Sequence, residues 1–185
     1  MRTAPAVALV ASVLVLGACA STPPPPPPPP AVSTAKAASV NLASASASLV
    51  SGKVQLRAMG DGVHLSGTVG GLAANSQHGI HVHETGDCGA VDASSAGAHF
   101  NPAASVHGRA GSGAHHAGDM DNLTADGSGV AQVDIHLQGV TLGGGAANDI
   151  AGRALIVHAA PDDYRTQPAG NAGARVACGI ITVGP

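Results

Sequence analysis

His78-Gly79-Ile80-His81-Val82-His83-Glu84 is the stretch on which the reading of this chain turns. On an extended strand residues two apart share a face, so His81 and His83 present two imidazoles side by side while Val82 points the other way. The same period of two runs outward. Upstream, Val54-Gln55-Leu56-Arg57 alternates, and after the turn at Gly60-Asp61-Gly62 so does Val63-His64-Leu65-Ser66-Gly67-Thr68-Val69. Downstream, residues 85–118 are long, rich in Gly, Ala, Ser and His, and aperiodic. A loop of that length in a compact domain is usually functional. Asp126-Gly127-Ser128-Gly129 then turns the chain into a strand over 130–137. Further strands are expected at 150–158 and 174–183, separated by a second irregular stretch at 159–173. With strands near 40–46 and 120–124 the count approaches eight, and amphipathic helices are missing. The expected fold is all-β: an antiparallel, eight-stranded Greek-key barrel or immunoglobulin-like sandwich with two long functional loops.

The first residues read as an address. Arg2, the apolar run 6–16 and the small residues of Leu16-Gly17-Ala18-Cys19 have the layout of an export signal. The apolar run is too short for a membrane span. A cysteine at that position resembles a bacterial lipobox, in which Cys19 becomes the lipid-bearing first residue of the mature protein. The next residue is Ala20, with no Asp to suggest inner-membrane retention, which favours the outer membrane of a two-membrane envelope. Pro23 to Pro30 is an unbroken proline run, a polyproline II spacer of about 25 Å at roughly 3.1 Å per residue. The expected organisation is a lipoprotein signal peptide at 1–18, a lipidated cysteine and Pro-rich linker at 19–38, and one folded domain at 39–185. Localisation is expected in the periplasm, anchored to a membrane.

Composition narrows the partners. The leader removes Arg2 and no acidic residue, which leaves 7 basic groups against 11 acidic ones and a net charge near −4. That excludes a nucleic-acid or polyanion partner as the default. With 26 glycines, one Phe, one Tyr and no Trp, the core must be built from Val, Leu, Ile and Ala. Few aromatics mark an interface, and the sequence does not choose between a monomer and a homodimer. Once Cys19 is assigned to lipid, Cys88 and Cys178 remain. Export makes a disulfide between them the default. Paired thiolate metal ligands are the competing reading, without a CxxC spacing to support them.

The histidines call for metal. Beyond His81 and His83 come His99, His107 and His116-Ala117-Gly118-Asp119, and later His158 at the end of the apolar run Leu155-Ile156-Val157. These are more donors than one ion uses. Zinc accepts a tetrahedron of nitrogen and oxygen donors, and His107, His116, Asp119 and a further histidine would supply it. Copper(II) prefers a tetragonal nitrogen set, which His81, His83, a shared histidine and His158 would supply.

His81-Val82-His83, Gly97-Ala98-His99-Phe100-Asn101-Pro102, His116-Ala117-Gly118-Asp119, Val157-His158 and Gly170-Asn171-Ala172-Gly173-Ala174-Arg175-Val176-Ala177-Cys178-Gly179 together resemble the copper/zinc superoxide dismutases, in family order over essentially all of 39–185. The resemblance implies copper on His81, His83, His99 and His158, and zinc on His99, His107, His116 and Asp119, one ion of each per subunit. His99 is then the bridge and a proton carrier, and Arg175 attracts and orients the superoxide anion. Asp162 links the two ligand sets from behind, and Cys88 and Cys178 form the family disulfide. His78 is expected to hydrogen-bond beside the copper ligands. The activity implied is disproportionation of superoxide to oxygen and hydrogen peroxide. The rival reading is a metal-handling lipoprotein, a copper or zinc buffer or chaperone on the same fold without turnover. His64 and His136 should face solvent, His115 should be solvent-exposed or a weak extra metal site, and Arg109 and Arg153 receive no role. Three departures stand out: Ala74-Asn75-Ser76-Gln77 replaces a Pro-Gly turn, the 159–173 loop lacks lysine, and Cys88 precedes His99 by a longer gap than in animal members.

Overall fold

The computed structural model describes residues 31–184; the expected signal peptide, Cys19 and the proline run lie outside the described residues. Ten strands run in chain order: β1 Ala37–Ser44, β2 Ser51–Met59, β3 Gly62–Gly70, β4 Gln77–His78, β5 Ile80–His83, β6 Leu123–Thr124, β7 Ala131–Gln138, β8 Ala154–His158, β9 Arg175–Ile180 and β10 Thr182–Val183. The only helix among the described residues is a single 3₁₀ turn, Ser94–Ala96. One antiparallel sheet, ordered β5-β8-β9-β1-β2-β3-β7, curls on itself, with β10 also paired to β1. β4 and β6 form a separate two-stranded ribbon. The chain crosses from β7 at one edge to β8 beside the other edge, as a Greek-key connection does.

Alternation decides which faces turn inward. In β2 and β3, Val54, Leu56, Val63, Leu65 and Val69 are buried while their neighbours, Gly62 at the hairpin tip excepted, are wholly or partly exposed. Both strands pair along nine positions, from Met59↔Gly62 at the hairpin tip to Ser51↔Gly70. β5 and β8 are different: every residue of both is buried. Their outer face is covered by the 84–122 loop, so these strands lie between the barrel core and the loop.

Three expected elements are redrawn. β1 starts at Ala37, and Ala35 and Ser33 already hydrogen-bond to Leu142, so packing begins ahead of residue 39. The strand expected over 150–158 is regular only from Ala154. Gly152 takes a positive φ of 75°, and the Arg153 amide donates to the Ile150 carbonyl, so the preceding residues form a turn with Ile150 buried. The strand expected over 174–183 is interrupted at Ile181, although its register against β1 continues from Ala43↔Cys178 to Ser39↔Thr182. Gly179 sits in that crossing, where a Cβ would meet the Asn41 carbonyl oxygen at 2.5 Å. A bare backbone is what lets the sheet turn its corner there.

The Cys88–Cys178 disulfide is formed, with Cα atoms 5.8 Å apart. It pins the beginning of the long loop to β9, over a small second core of Ala45, Ala93, Ala96, Ala154 and Ile156.

Candidate metal centre

β5 and β8 deliver the first donors. Ile80 and Val82 enter the barrel core, and His81 and His83 point to the other face. His158 closes β8, where the register shifts by a residue and sets it opposite Arg175. An isolated bridge between His83 and His99 brings the long loop across this face, and another joins His81 to Asp119. Two sets of donors result: His81, His83, His99 and His158, and His99, His107, His116 and Asp119. In each set the ligand atoms lie within 4.8 Å of one another, and every member is buried. His99 belongs to both.

Hydrogen bonding selects which nitrogen each ring offers. His83 Nδ1–H donates to the Gly97 carbonyl (2.9 Å), and His158 Nδ1–H faces the Gly173 carbonyl (3.3 Å). His81 and His107 donate from Nε2 to the two oxygens of Asp162, at 2.8 and 3.0 Å. Six buried ring nitrogens are left without a hydrogen-bond partner: His81 Nδ1, His83 Nε2, His99 Nε2, His107 Nδ1, His116 Nδ1 and His158 Nε2. Orphaned buried polar atoms are costly and rare. Six of them converging on two points fit two metal ions.

The ionisation states agree. Burial pushes His83 down to about 2, His158 to about 3 and His81 to about 4, the last against the opposing hydrogen bond to Asp162. His116 is lowered by the same desolvation. These imidazoles are neutral at ordinary pH, as a metal ligand must be. Burial pushes Asp119 up, yet hydrogen bonds from the His99 ring and the His116 amide, both at 2.8 Å, outweigh it and hold the carboxylate ionised. One anion therefore sits among three imidazoles in the second set and none in the first.

Beside the first set, His83, His99, His116, His158 and Arg175 line an open cleft of about 520 Å³, walled opposite by Pro168 and Ala169. Arg175 donates from Nη1 to the Ala93 carbonyl (2.7 Å) and from Nη2 to the Gly97 carbonyl (2.6 Å). The Gly97 oxygen also accepts from His83, so one carbonyl orients both a ligand and the cation. Arg175 is thus a loop clamp and a cleft residue at once.

The remaining expectations sort simply. His78 Nδ1 donates to the His158 carbonyl at 2.8 Å, and its Nε2 meets Ser76 of the altered turn at 2.7 Å. His115 belongs to neither set; its Nδ1 faces the Gly113 carbonyl at the surface. His64 and His136 sit on the outer face, paired with Asp134 and Asp61. Arg153 stacks over Phe100 and donates to the Glu84 carbonyl, which ties β5 to the turn before β8. Two residues went unread. Asn122 binds both backbone groups of Asp162, donating to its carbonyl (2.9 Å) and accepting from its amide (2.8 Å). Gly170, at φ 64°, lies where any Cβ would overlap the Asp162 carboxylate. Gly170 is visible within the Gly170-Asn171-Ala172-Gly173 run; Asn122 carries no pattern of its own.

The family model for copper/zinc superoxide dismutase matches residues 50–181. Two Cu-Zn superoxide dismutases of Aquifex aeolicus are 41% and 40% identical to this chain over 135 and 133 residues, covering 71% and 70% of it and 79% of each relative. A Cu-Zn superoxide dismutase of Caulobacter vibrioides is 47% identical over 109 residues, 56% of this chain and 63% of the relative. Among solved structures, a SOD-like protein from Bacillus subtilis superposes with a TM-score of 0.69 at 32% identity, over 76% of this chain and 95% of that one.

Proposed function

The chain belongs to the copper/zinc superoxide dismutase family and uses copper and zinc to disproportionate superoxide, and on that premise we propose how its own residues divide the work. His81, His83, His158 and His99 would hold copper, and His107, His116, Asp119 and the shared His99 would hold zinc. The observation that carries this division is the pattern of six orphaned nitrogens around one shared ring. The carboxylate lies with the zinc set, whose borderline, redox-inert ion accepts a mixed nitrogen and oxygen shell. The all-imidazole set suits copper. Copper supplies the one-electron exchange, by which one superoxide is oxidised to oxygen and a second is reduced to peroxide.

The protein does the rest. Arg175 presents a fixed cation in the cleft, held by two carbonyls, and so draws and orients an anionic substrate on an anionic protein. His99 Nε2 is the atom placed to hold a proton for the leaving peroxide, because the ring stays anchored beside Asp119 through Nδ1. Asp162 keeps His81 and His107 in the tautomers that expose Nδ1.

The proposal extends to the address. Cys19 carries lipid, the proline run holds the domain off the membrane, and the enzyme works in the cell envelope, probing superoxide that arises outside the cytoplasm. Leu16-Gly17-Ala18-Cys19 supports this, as does a disulfide of the kind that persists in oxidising compartments. Fatty-acid labelling of the expressed full chain tests it: label should be lost in Cys19→Ala, and an unlabelled parent protein would refute the anchor.

The metal assignment is tested by superoxide decay after pulse generation, with the protein loaded with both metals. Superoxide dismutases work near the diffusional ceiling of about 10⁸–10⁹ M⁻¹s⁻¹, so decay in that range is expected and should vanish in His158→Ala. Undiminished decay in that variant would overturn the copper set.

A further inference from the structure

We propose that Gln167 is a positioning residue which couples the zinc ligand His107 to the wall of the substrate cleft; the inference rests on the zinc assignment above. Its side-chain amide makes two opposed bonds to a single backbone unit 60 residues away. Oε1 accepts from the His107 amide at 2.8 Å, and Nε2 donates to the His107 carbonyl at 2.9 Å. Binding both groups of one residue fixes its rotation about the chain, as a ladder partner does in a sheet. His107 needs such a partner, because it lies in a stretch without regular structure and no strand neighbours it.

The residues after Gln167 complete the coupling. Pro168 and Ala169 form the cleft wall facing His83, His99, His158 and Arg175. Gly170 then returns to the zinc side, where a Cβ would sit 2.7 Å from His107 Nε2. Within four residues the chain clamps the His107 backbone, lines the cleft and covers the far nitrogen of the His107 ring. Hydrogen bonds within the segment tie its residues to one another. The Gly170 amide donates to the Thr166 carbonyl (2.7 Å), and the Asp163 carboxylate accepts from the Arg165 amide, the Thr166 amide and the Thr166 hydroxyl. Zinc drawn to His107 therefore fixes the cleft wall through Gln167, and a loosened Gln167 frees both. The amide is uncharged, so removing it leaves the electrostatics of the cleft as they were.

The test uses full-length protein loaded with copper and zinc. Zinc release into a chelating dye is timed, copper retention is followed by its visible absorption, and azide is titrated against that absorption to probe the cleft. In Gln167→Ala zinc release should accelerate by about tenfold or more, the usual cost of losing an outer-shell support, with copper retained and the azide dissociation constant shifted. Gln167→Met keeps the length of the side chain, adds no charge and loses both bonds, so its release should accelerate as in Gln167→Ala. Release no faster than in the parent in either variant would overturn the proposal. Equal acceleration of zinc and copper loss would overturn it too, because that is the mark of general loosening. If Gln167→Ala does not fold, Gln167→Met decides by the same criteria. A parent protein that takes up copper and no zinc would sink the zinc assignment instead.

Discussion

The two halves of the metal centre are built by different means. His81, His83 and His158 stand on β5 and β8, paired strands whose every residue is buried. His107, His116 and Asp119 hang from a segment between β5 and β6 that has no strand of its own. On the strands, the ladder fixes the backbone beneath the imidazoles, and loop groups then set only the ring rotation. On the loop, orientation comes from side chains: Asp162 behind His107, Asn122 behind Asp162, Gln167 on the His107 backbone, and the Cys88–Cys178 disulfide at the loop's root. A regular element carries its own hydrogen bonds, and an irregular one must borrow them. Three of the four donors in the copper half stand on the barrel, with His99 alone on the loop, so the zinc half should fail first and piece by piece.

The harshest break is in the strand half. Leu155→Ala removes a fully buried side chain between β5 and β9 and should cost about 2–5 kcal/mol in urea unfolding. Both ligand sets should weaken together, and selective zinc loss would contradict the contrast. Next is Cys88→Ala with Cys178→Ala. Loss of the bridge should cost about 2–5 kcal/mol, by the denatured-state entropy account, and open the loop to proteolysis first. Asp162→Asn sharpens the comparison: a carboxamide cannot accept from both rings. Metal affinity should fall about 10–100-fold, with zinc lost ahead of copper because His81 keeps its strand and His107 has none. Competition titration with a chelator reads the order.

Acid should act next. The folded values of His81, His83 and His158 lie below the unfolded value of about 6.5, so in metal-free protein their neutral forms favour folding fully above it. As pH falls from 6.5 through about 4 towards 2, the unfolded chain takes up protons first and that stability is lost. Asp119 and Asp162, also depressed, act the same way below the ordinary carboxylate range. The melting temperature of chelated protein should drop between pH 7 and pH 4; a flat profile would contradict it. The smallest effect belongs to Arg109→Ala. Its ion pair with Asp121 and its place over Tyr164 are solvent-exposed, and zinc retention should not change measurably.

The zinc half was also the harder to read beforehand. His81, His83 and His158 announce themselves through alternation and an apolar run, because strand geometry is local. His116 and Asp119 are near enough in sequence to suggest a pair, and that spacing together with the family pattern separates His116 from His115. Asn122 and Gln167 act across 40 and 60 residues, and no local period encodes such pairings. The strand boundaries that moved, at 150–153 and 181, moved for the same reason. Gly152 and Gly179 adjust the backbone where the sheet turns a corner, which a hydrophobic pattern does not record.

What the sequence determined by itself was the β class, the family and the set of candidate metal donors, written in short-range periodicity and motif order. What the tertiary structure decided was which nitrogen each histidine offers and which neighbours hold it there. A ring nitrogen is freed for a metal only when the opposite nitrogen has found its carbonyl or carboxylate. Those partners, Gly97, Gly173 and Asp162, reach the site only after the barrel has folded its loops over β5 and β8.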